Sequence, residues 1–329
     1  MKVTVLGAGA WGTSLAMQVS QRHKVTLWAR NHAHVSGMRN VRANPLYLGD
    51  FKFNGNLEVE SDLAQALEGS DLILSVVPTS GFRNIIHEIK KLNCNLPFIW
   101  ANKGLEASTA MLPHEVAIQE FGEDRPFGAL SGPSFAAELV RGLPTAVTLA
   151  AKDTVFAKEA AGVFHGGNLR VYTSSDVVGV SVGGALKNVM AIAAGISDGM
   201  EFGNNARAAL ITRGLAEMTR FGVALGGQKE TFMGLTGAGD LVLTCTGQYS
   251  RNREVGLRLA KGMQLSEILS SLGHVAEGVH TTREVAKRAE SIGVDMPLTF
   301  EVDQVLSHGK SAKQAVMDLF EREQKPEAV

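Results

Sequence analysis

The sequence predicts a doubly wound parallel α/β sheet over residues 1–178, followed by an all-α part over residues 179–329. Three observations carry this. Up to about residue 178, short β-branched runs alternate with helical spacings, as strands joined by crossover helices do. Past that point the β-runs stop, and the stretches 206–225, 251–273, 280–292 and 300–322 keep helical spacing alone. Between the first β-run and the first helical spacing lies a glycine-rich turn. With 329 residues, 45% hydrophobic and 20% charged, the chain is long and apolar enough to bury such a core.

The first run, "KVTVLG", leads into "GAGAWG", where Gly7, Gly9 and Gly12 stand in GxGxxG spacing around Ala10 and Trp11. Gly7 permits the tight turn, Gly9 lets backbone approach a pyrophosphate, and Gly12 lets helix and strand pack closely. Such a turn can also be merely structural, but a β-run before it and a helical spacing after it supply the context of a Rossmann-type NAD(P) site. The second run, "KVTLWA", ends at Arg30, and no Asp or Glu occurs between Gly12 and Asp50. An acid at that strand end would select NAD through the ribose 2′-hydroxyl. Arg30 instead suits a 2′-phosphate and predicts acceptance of NADP(H), unless it is an ordinary solvated arginine.

The runs "LEVES", "DLILSVVP", "FIWANKG", "FGALSG" and "TAVTLAA" continue the sheet. Lys103 closes the "FIWANKG" run, at the strand edge that faces the ligand crevice of a doubly wound sheet. The second half opens with "VVGVSVGGALKNVMAIAAGIS", residues 177–197, in which Lys187 is the only charge. That length suits a membrane span, but a central lysine and four glycines point to a buried helix. "LTGAGDLVLTCTGQYSRNRE" and "GHVAEGVHTT" read as loops feeding the cleft between the halves. Asp240 closes "GAGD", where it is a site carboxylate or a helix N-cap. Ser250 and Arg251 open a helical stretch, and an arginine at a helix start makes an anion site.

Other classes are disfavoured. A net charge of −1 speaks against a nucleic-acid surface or a polybasic membrane patch. Cys94 and Cys245 match neither a metal spacing nor a disulfide framework, so a reduced protein without a metal is expected. Glycines interrupt the first residues before an apolar secretory core can form, and a cytoplasmic protein is the default expectation. No repeat at a fixed period is present, and the charged tail "EREQKPEAV" is expected to fray.

Together "GAGAWGT", "ANKGLE", "LSGPSFA", "GGALKNVMAIAAGISDG", "GLTGAGDLVLTCTGQYSRNR" and "VAEGVHT" closely resemble the motifs of the bacterial NAD(P)-dependent glycerol-3-phosphate dehydrogenases. The resemblance runs from residue 1 to about 300, departing at Ala10, where many relatives carry Ser. It implies an NAD(P)-binding Rossmann domain, 1–178, and a helical substrate-binding domain, 179–329. It implies hydride exchange between NADPH or NADH and dihydroxyacetone phosphate, with glycerol 3-phosphate feeding phospholipid synthesis. Lys187 then falls where the family has its proton donor and acceptor. Lys103, Gly132, Ser134, Asn188, Asp240, Ser250, Arg251 and Asn252 fall at substrate positions. Gly7, Gly9, Ala10, Trp11, Gly12, Arg30, Lys103, Ala136, Arg251, Val275 and Glu277 fall at cofactor positions. A homodimer built on the helical domain is a further implication.

Physical chemistry accommodates a basic Lys187. Apolar surroundings and a second cation, Lys103, lower a lysine pKa toward neutrality, while Asn188 and Asp240 orient the ammonium. Removing that ammonium is expected to leave the fold equally or more stable. Two other readings remain at this point: a β-hydroxyacid dehydrogenase with its own lysine–asparagine pair, and a non-catalytic nicotinamide-binding regulator.

Overall fold

A computed structural model describes residues 1–272, 276–324 and 326. The first half runs β1 (Lys2–Leu6), α1 (Ala10–Ser20), β2 (Lys24–Trp28), α2 (His32–Val41), α3 (Pro45–Leu48), β3 (Leu57–Glu60), α4 (Leu63–Leu67) and β4 (Leu72–Ser75). It continues with α5 (Thr79–Lys91), β5 (Phe98–Trp100), α6 (Pro113–Phe121), β6 (Phe127–Ser131), α7 (Ala136–Val140), β7 (Thr145–Ala150), α8 (Thr154–Phe164) and β8 (Leu169–Ser174). Helices follow: α9 (Val177–Gly199), α10 (Gly203–Ala224), α11 (Lys229–Met233), α12 (Asp240–Thr246), α13 (Arg251–Ala260), α14 (Leu265–Leu272), α15 (Glu277–Ser291), α16 (Pro297–Ser307) and α17 (Ala312–Phe320).

The eight strands form one sheet in the order β3-β2-β1-β4-β5-β6-β7-β8. All neighbours are parallel except β6 and β7. After β6 the chain passes through the 5-residue α7 and re-enters the sheet antiparallel to β6. The 11-residue α8 then carries it back, and β8 is parallel to β7. Strand β8, "LRVYTS", is one that the sequence reading passes over: it lies at the sheet edge with Arg170, Tyr172 and Thr173 exposed, and those polar positions dilute its β-run.

Apolar residues cover both faces of the sheet. Val5, Leu27 and Leu74 pack with Leu15 and Val19 of α1 and Phe164 of α8 on one face. Leu6, Ile73, Phe98 and Trp100 pack with Phe82 and Ile86 of α5 on the other, joined there by Val177 and Val180 of α9. Helix α9 is long and apolar enough to cross a membrane, yet 94% of its most apolar window is buried inside the protein. Its neighbours include Met218 and Phe221 of α10, Leu241 of α12 and Val285 of α15. Against α13 the approach is backbone to backbone: a Cβ on Gly195 would come 2.0 Å from the Arg253 carbonyl oxygen, and one on Gly256 2.1 Å from that of Ile192.

The second half departs from the sequence reading in its connections. The stretch 251–273 divides into α13 and α14, and 300–322 into α16 and α17. Most of "LTGAGDLVLTCTGQYSRNRE" is not loop: Leu235–Gly239 makes a π-helical turn that continues into α12, and α13 starts at Arg251. Glu277 likewise already belongs to α15. Inward-pointing polar groups such as Asp240 and Thr244 hide the helical period there.

Candidate active site at the carboxyl edge of the sheet

Beside the point where strand order reverses, between β1 and β4, the chain turns from β1 into α1. Gly7 has φ +112°, and a Cβ on it would lie 2.8 Å from the Val76 carbonyl oxygen; on Gly12 it would lie 2.0 Å from that of Gly7. Gly9 caps α1 without a side-chain hydrogen bond and has nothing within 4 Å of where its Cβ would be. Uncapped first-turn N–H groups beside open space are what a pyrophosphate requires, so the turn fits an NAD(P) cofactor. Fully buried Asn44 pins it, donating to the Ala8 carbonyl at 3.0 Å and to Thr13 Oγ1 at 2.8 Å. Ala10 opens α1 and Trp11 follows it, half-buried against the core. The Ala136 carbonyl accepts from Ser14 Oγ at 2.9 Å, tying α7 to α1. Arg30 stands exposed two residues beyond Trp28, whose carbonyl accepts from the Gly7 N–H at 2.9 Å. Val275 lies outside the described residues.

Toward the helical half, three charges converge. Lys187 is 8% exposed and Asp240 fully buried. Lys187 Nζ donates to Asp240 Oδ1 at 2.5 Å, and Lys103 Nζ to Asp240 Oδ2 at 2.8 Å and to the Gly132 carbonyl at 3.2 Å. One carboxylate therefore bridges two ammonium groups. Burial lowers the Lys187 pKa first; the Asp240 charge opposes this, the Lys103 charge adds to it, and the value falls to about 8. Gly184, one turn earlier on α9, lets the helix meet the Lys103 stem: a Cβ there would lie 3.3 Å from Lys103 Cγ.

The remaining predicted residues surround this centre. Ser134 Oγ donates to the Gly132 carbonyl at 2.9 Å. Asn188 Nδ2 donates to the Lys103 carbonyl at 3.4 Å and Asn252 Nδ2 to Asn188 Oδ1 at 2.9 Å. Ser250 caps α13, accepting from Arg253 N at 3.3 Å, and Arg251 is the exposed first residue of that helix. Glu277 Oε1 accepts from the N–H of Thr79, first residue of α5, at 3.1 Å. Burial raises the Glu277 pKa, opposed by the Thr79 N–H and by the charges of Arg251, Lys103 and Lys187.

Sequence reasoning missed Thr244 and Thr79. Thr244 Oγ1 donates to the Asp240 carbonyl at 2.6 Å and lies 3.4 Å from its Oδ1; its four-residue spacing from Asp240 is a signal once α12 is known to be a helix. Nothing in the sequence marks Thr79. Among the described residues no three His, Cys, Asp or Glu side chains gather as metal ligands. Cys94 and Cys245 are free thiols, and burial pushes Cys245 up to about 12. The arrangement joins an open glycine turn at a helix N-terminus to a buried lysine with lowered pKa and two further cations, Lys103 and Arg251, which suits hydride chemistry on a small anionic substrate.

Comparison with known proteins points the same way. The family model described as NAD-dependent glycerol-3-phosphate dehydrogenase N-terminus matches residues 2–157, and its C-terminal counterpart matches 176–317. A glycerol-3-phosphate dehydrogenase [NAD(P)+] of Methylobacillus flagellatus is 72% identical over the full length of both chains. One of Nitrosospira multiformis is 52% identical over 99% of each. The crystal structure of the glycerol-3-phosphate dehydrogenase of Coxiella burnetii superposes with a TM-score of 0.94 at 43% identity, covering 98% of this chain and 99% of that one. A ketopantoate reductase from Ralstonia eutropha, at 15% identity and TM-score 0.62, covering 96% of this chain and all of that one, shares the fold alone.

Proposed function

Since the chain belongs to the NAD-dependent glycerol-3-phosphate dehydrogenases, and so interconverts glycerol 3-phosphate and dihydroxyacetone phosphate with NAD(P), we propose that Lys187 is the general acid and base of that reaction. The observation that carries this is the ion-paired Lys187, buried beside the carboxyl edge of the sheet with its pKa lowered to about 8. An NAD(P) cofactor held at the turn Gly7, Gly9 and Gly12 would supply or accept the hydride at C2. In the reducing direction, protonated Lys187 donates from Nζ to the C2 oxygen; in the oxidising direction, neutral Lys187 takes that proton. Lys103 contributes positive charge toward the developing oxyanion, and Asp240 holds both ammonium groups in place. Arg251, Ser250 and Asn252 at the start of α13, with Asn188, Gly132 and Ser134 around them, are proposed to receive the phosphate and hydroxyl groups.

For the cofactor we propose the glycine turn Gly7, Gly9 and Gly12 with Ala10 and Trp11 at the phosphates, Arg30 at a 2′-phosphate when NADP(H) binds, and Lys103, Ala136, Arg251, Val275 and Glu277 around the remainder. The division into a cofactor-binding part, 1–178, and a substrate-binding part, 179–329, belongs to the same reading. So do a cytoplasmic homodimer and a supply of glycerol 3-phosphate for phospholipid synthesis, which rest on the family resemblance.

The deciding experiment is oxidation of NADPH by dihydroxyacetone phosphate with Lys187→Met. Turnover is expected to fall by about 10²- to 10⁴-fold or more while NADPH still binds. A well-folded Lys187→Met protein that keeps most of its activity would sink the acid–base role.

A further inference from the structure

Helix α15 begins without a cap of its own. Its N-cap residue, Ala276, has no side-chain acceptor, so the N–H of the second helical residue, Gly278, is an orphan donor of the kind every helix start carries. That buried N–H donates instead to Asn252 Oδ1 on α13, at 3.0 Å. Asn252 extends the contact through Nδ2 to Asn188 Oδ1 on α9 at 2.9 Å, and Asn188 Nδ2 reaches the Lys103 carbonyl beyond β5 at 3.4 Å. Four segments distant in sequence are thereby tied in one donor-to-acceptor row. Each tie is next to a charged residue of the site: Glu277 beside Gly278, Arg251 beside Asn252, Lys187 beside Asn188, and Lys103 itself.

The row leaves no room for a side chain at its start. A Cβ on Gly278 would lie 2.7 Å from Asn252 Oδ1 and 2.8 Å from the Asn188 carbonyl oxygen. The latter belongs to the backbone of a buried helix, so α15 would have to retreat. Each intermediate step needs a side chain that both accepts and donates, and the amides of Asn252 and Asn188 do so.

We propose that Gly278 is a positioning residue for the reaction: its N–H and its missing side chain seat α15 on Asn252 and Asn188, and through them hold Arg251, Lys187 and Lys103 in mutual register. This rests on the roles proposed above for those three residues. Gly278 acts through Asn252 and is not itself a ligand. Displacements of about 1 Å at a reacting group can cost on the order of 100-fold in rate, so a few tenths of an ångström along this row is enough to matter.

The test compares Gly278→Ala, Asn252→Ala and the double variant, with NADPH and dihydroxyacetone phosphate. Gly278→Ala is expected to lose about 10- to 100-fold in kcat/KM, and to shift the midpoint of the kcat–pH profile, since the distances from Lys187 to Asp240 and Lys103 contribute to it alongside burial. A partly misfolded population would scale that profile without moving its midpoint. In the Asn252→Ala background the same change is expected to add less than about threefold, because coupled residues are non-additive. Wild-type activity in Gly278→Ala, an unmoved midpoint, or fully multiplicative losses would overturn the proposal. Should Gly278→Ala not fold, amide exchange over residues 277–281 decides: Asn252→Ala is expected to accelerate it at least about tenfold by freeing the bonded N–H, and unchanged exchange overturns the row. The acid–base reading fails separately, on an active Lys187→Met protein with the row intact.

Discussion

Asp240 decides what Lys187 can do. Its two oxygens serve two lysines, so neither ammonium is buried unpaired, while desolvation still brings Lys187 down to about 8. Under the acid–base role proposed for Lys187, reduction of the ketone uses the protonated form and is expected to decline as pH rises through about 8, and oxidation of the alcohol uses the neutral form and is expected to climb over the same interval. Rates in both directions between pH 6 and 10 check this, and parallel profiles would contradict it. The stability consequence has its own sign. A lysine whose folded pKa is lowered binds fewer protons in the folded chain between about 8 and its ordinary value of 10.5, so stability rises with pH across that window. Lys187→Met removes the desolvation cost, but it leaves fully buried Asp240 with Lys103 alone. The variant is therefore expected to lose about 1–3 kcal/mol at pH 7 in urea unfolding, the reverse of what the apolar sequence around Lys187 suggests. That expectation changes because Asp240 is 53 positions away in sequence.

At the scale of the element, the starts of α15 and α16 are held by side chains borrowed from other helices. Glu217 of α10 is 1% exposed and accepts from Leu298 N, Thr299 N and Thr299 Oγ1 at 2.6, 3.2 and 3.0 Å, closing the N-terminus of α16. Burial outweighs those donors and pushes its carboxyl up to about 7. The folded chain then keeps a proton between 4.5 and about 7 that the unfolded chain releases, so this group's contribution is fully present below 4.5 and is lost as pH rises through about 7. Glu217→Gln is expected to flatten that part of the stability–pH curve, whereas Glu217→Ala, which strips the cap, costs about 1–3 kcal/mol at either end. Urea unfolding at pH 5 and pH 8 distinguishes the two; a curve unchanged by Glu217→Gln means the carboxyl is ionised throughout. Asp176 does similar work at the head of α9, accepting from Gly179 N and, across to α11, from Gln228 N and Thr231 Oγ1.

Over the whole molecule, sheet and helices share a core. Val177 and Val180 of α9 pack with Ile73, Phe98 and Trp100 of the sheet, and Glu277 of the helical half closes the start of α5 beside β4. One cooperative transition is therefore expected in calorimetry, and NADPH at 100 times its Kd, adding about 2.7 kcal/mol, should move that single midpoint upward. Two resolved transitions, only one of them moved by NADPH, would mean that the halves unfold independently.

By itself the sequence determined the alternation of strand and helix up to residue 178, the all-helical remainder, the glycine turn and the singular Lys187, because local period and residue chemistry set each of these. It could not determine the reversal at β7, since strand direction is set by pairing between segments and leaves no mark on local period, nor the edge strand β8, whose exposed face dilutes its pattern. The helices inside "LTGAGDLVLTCTGQYSRNRE" were hidden because their polar groups turn inward toward one another. The ties that assemble the site belong only to the tertiary structure: Lys103 and Lys187 on Asp240, Thr79 on Glu277, and Gly278 through Asn252 and Asn188 to Lys103. Each joins residues at least 26 positions apart, and such a bond forms only after the core has brought those segments together, so no local pattern announces it.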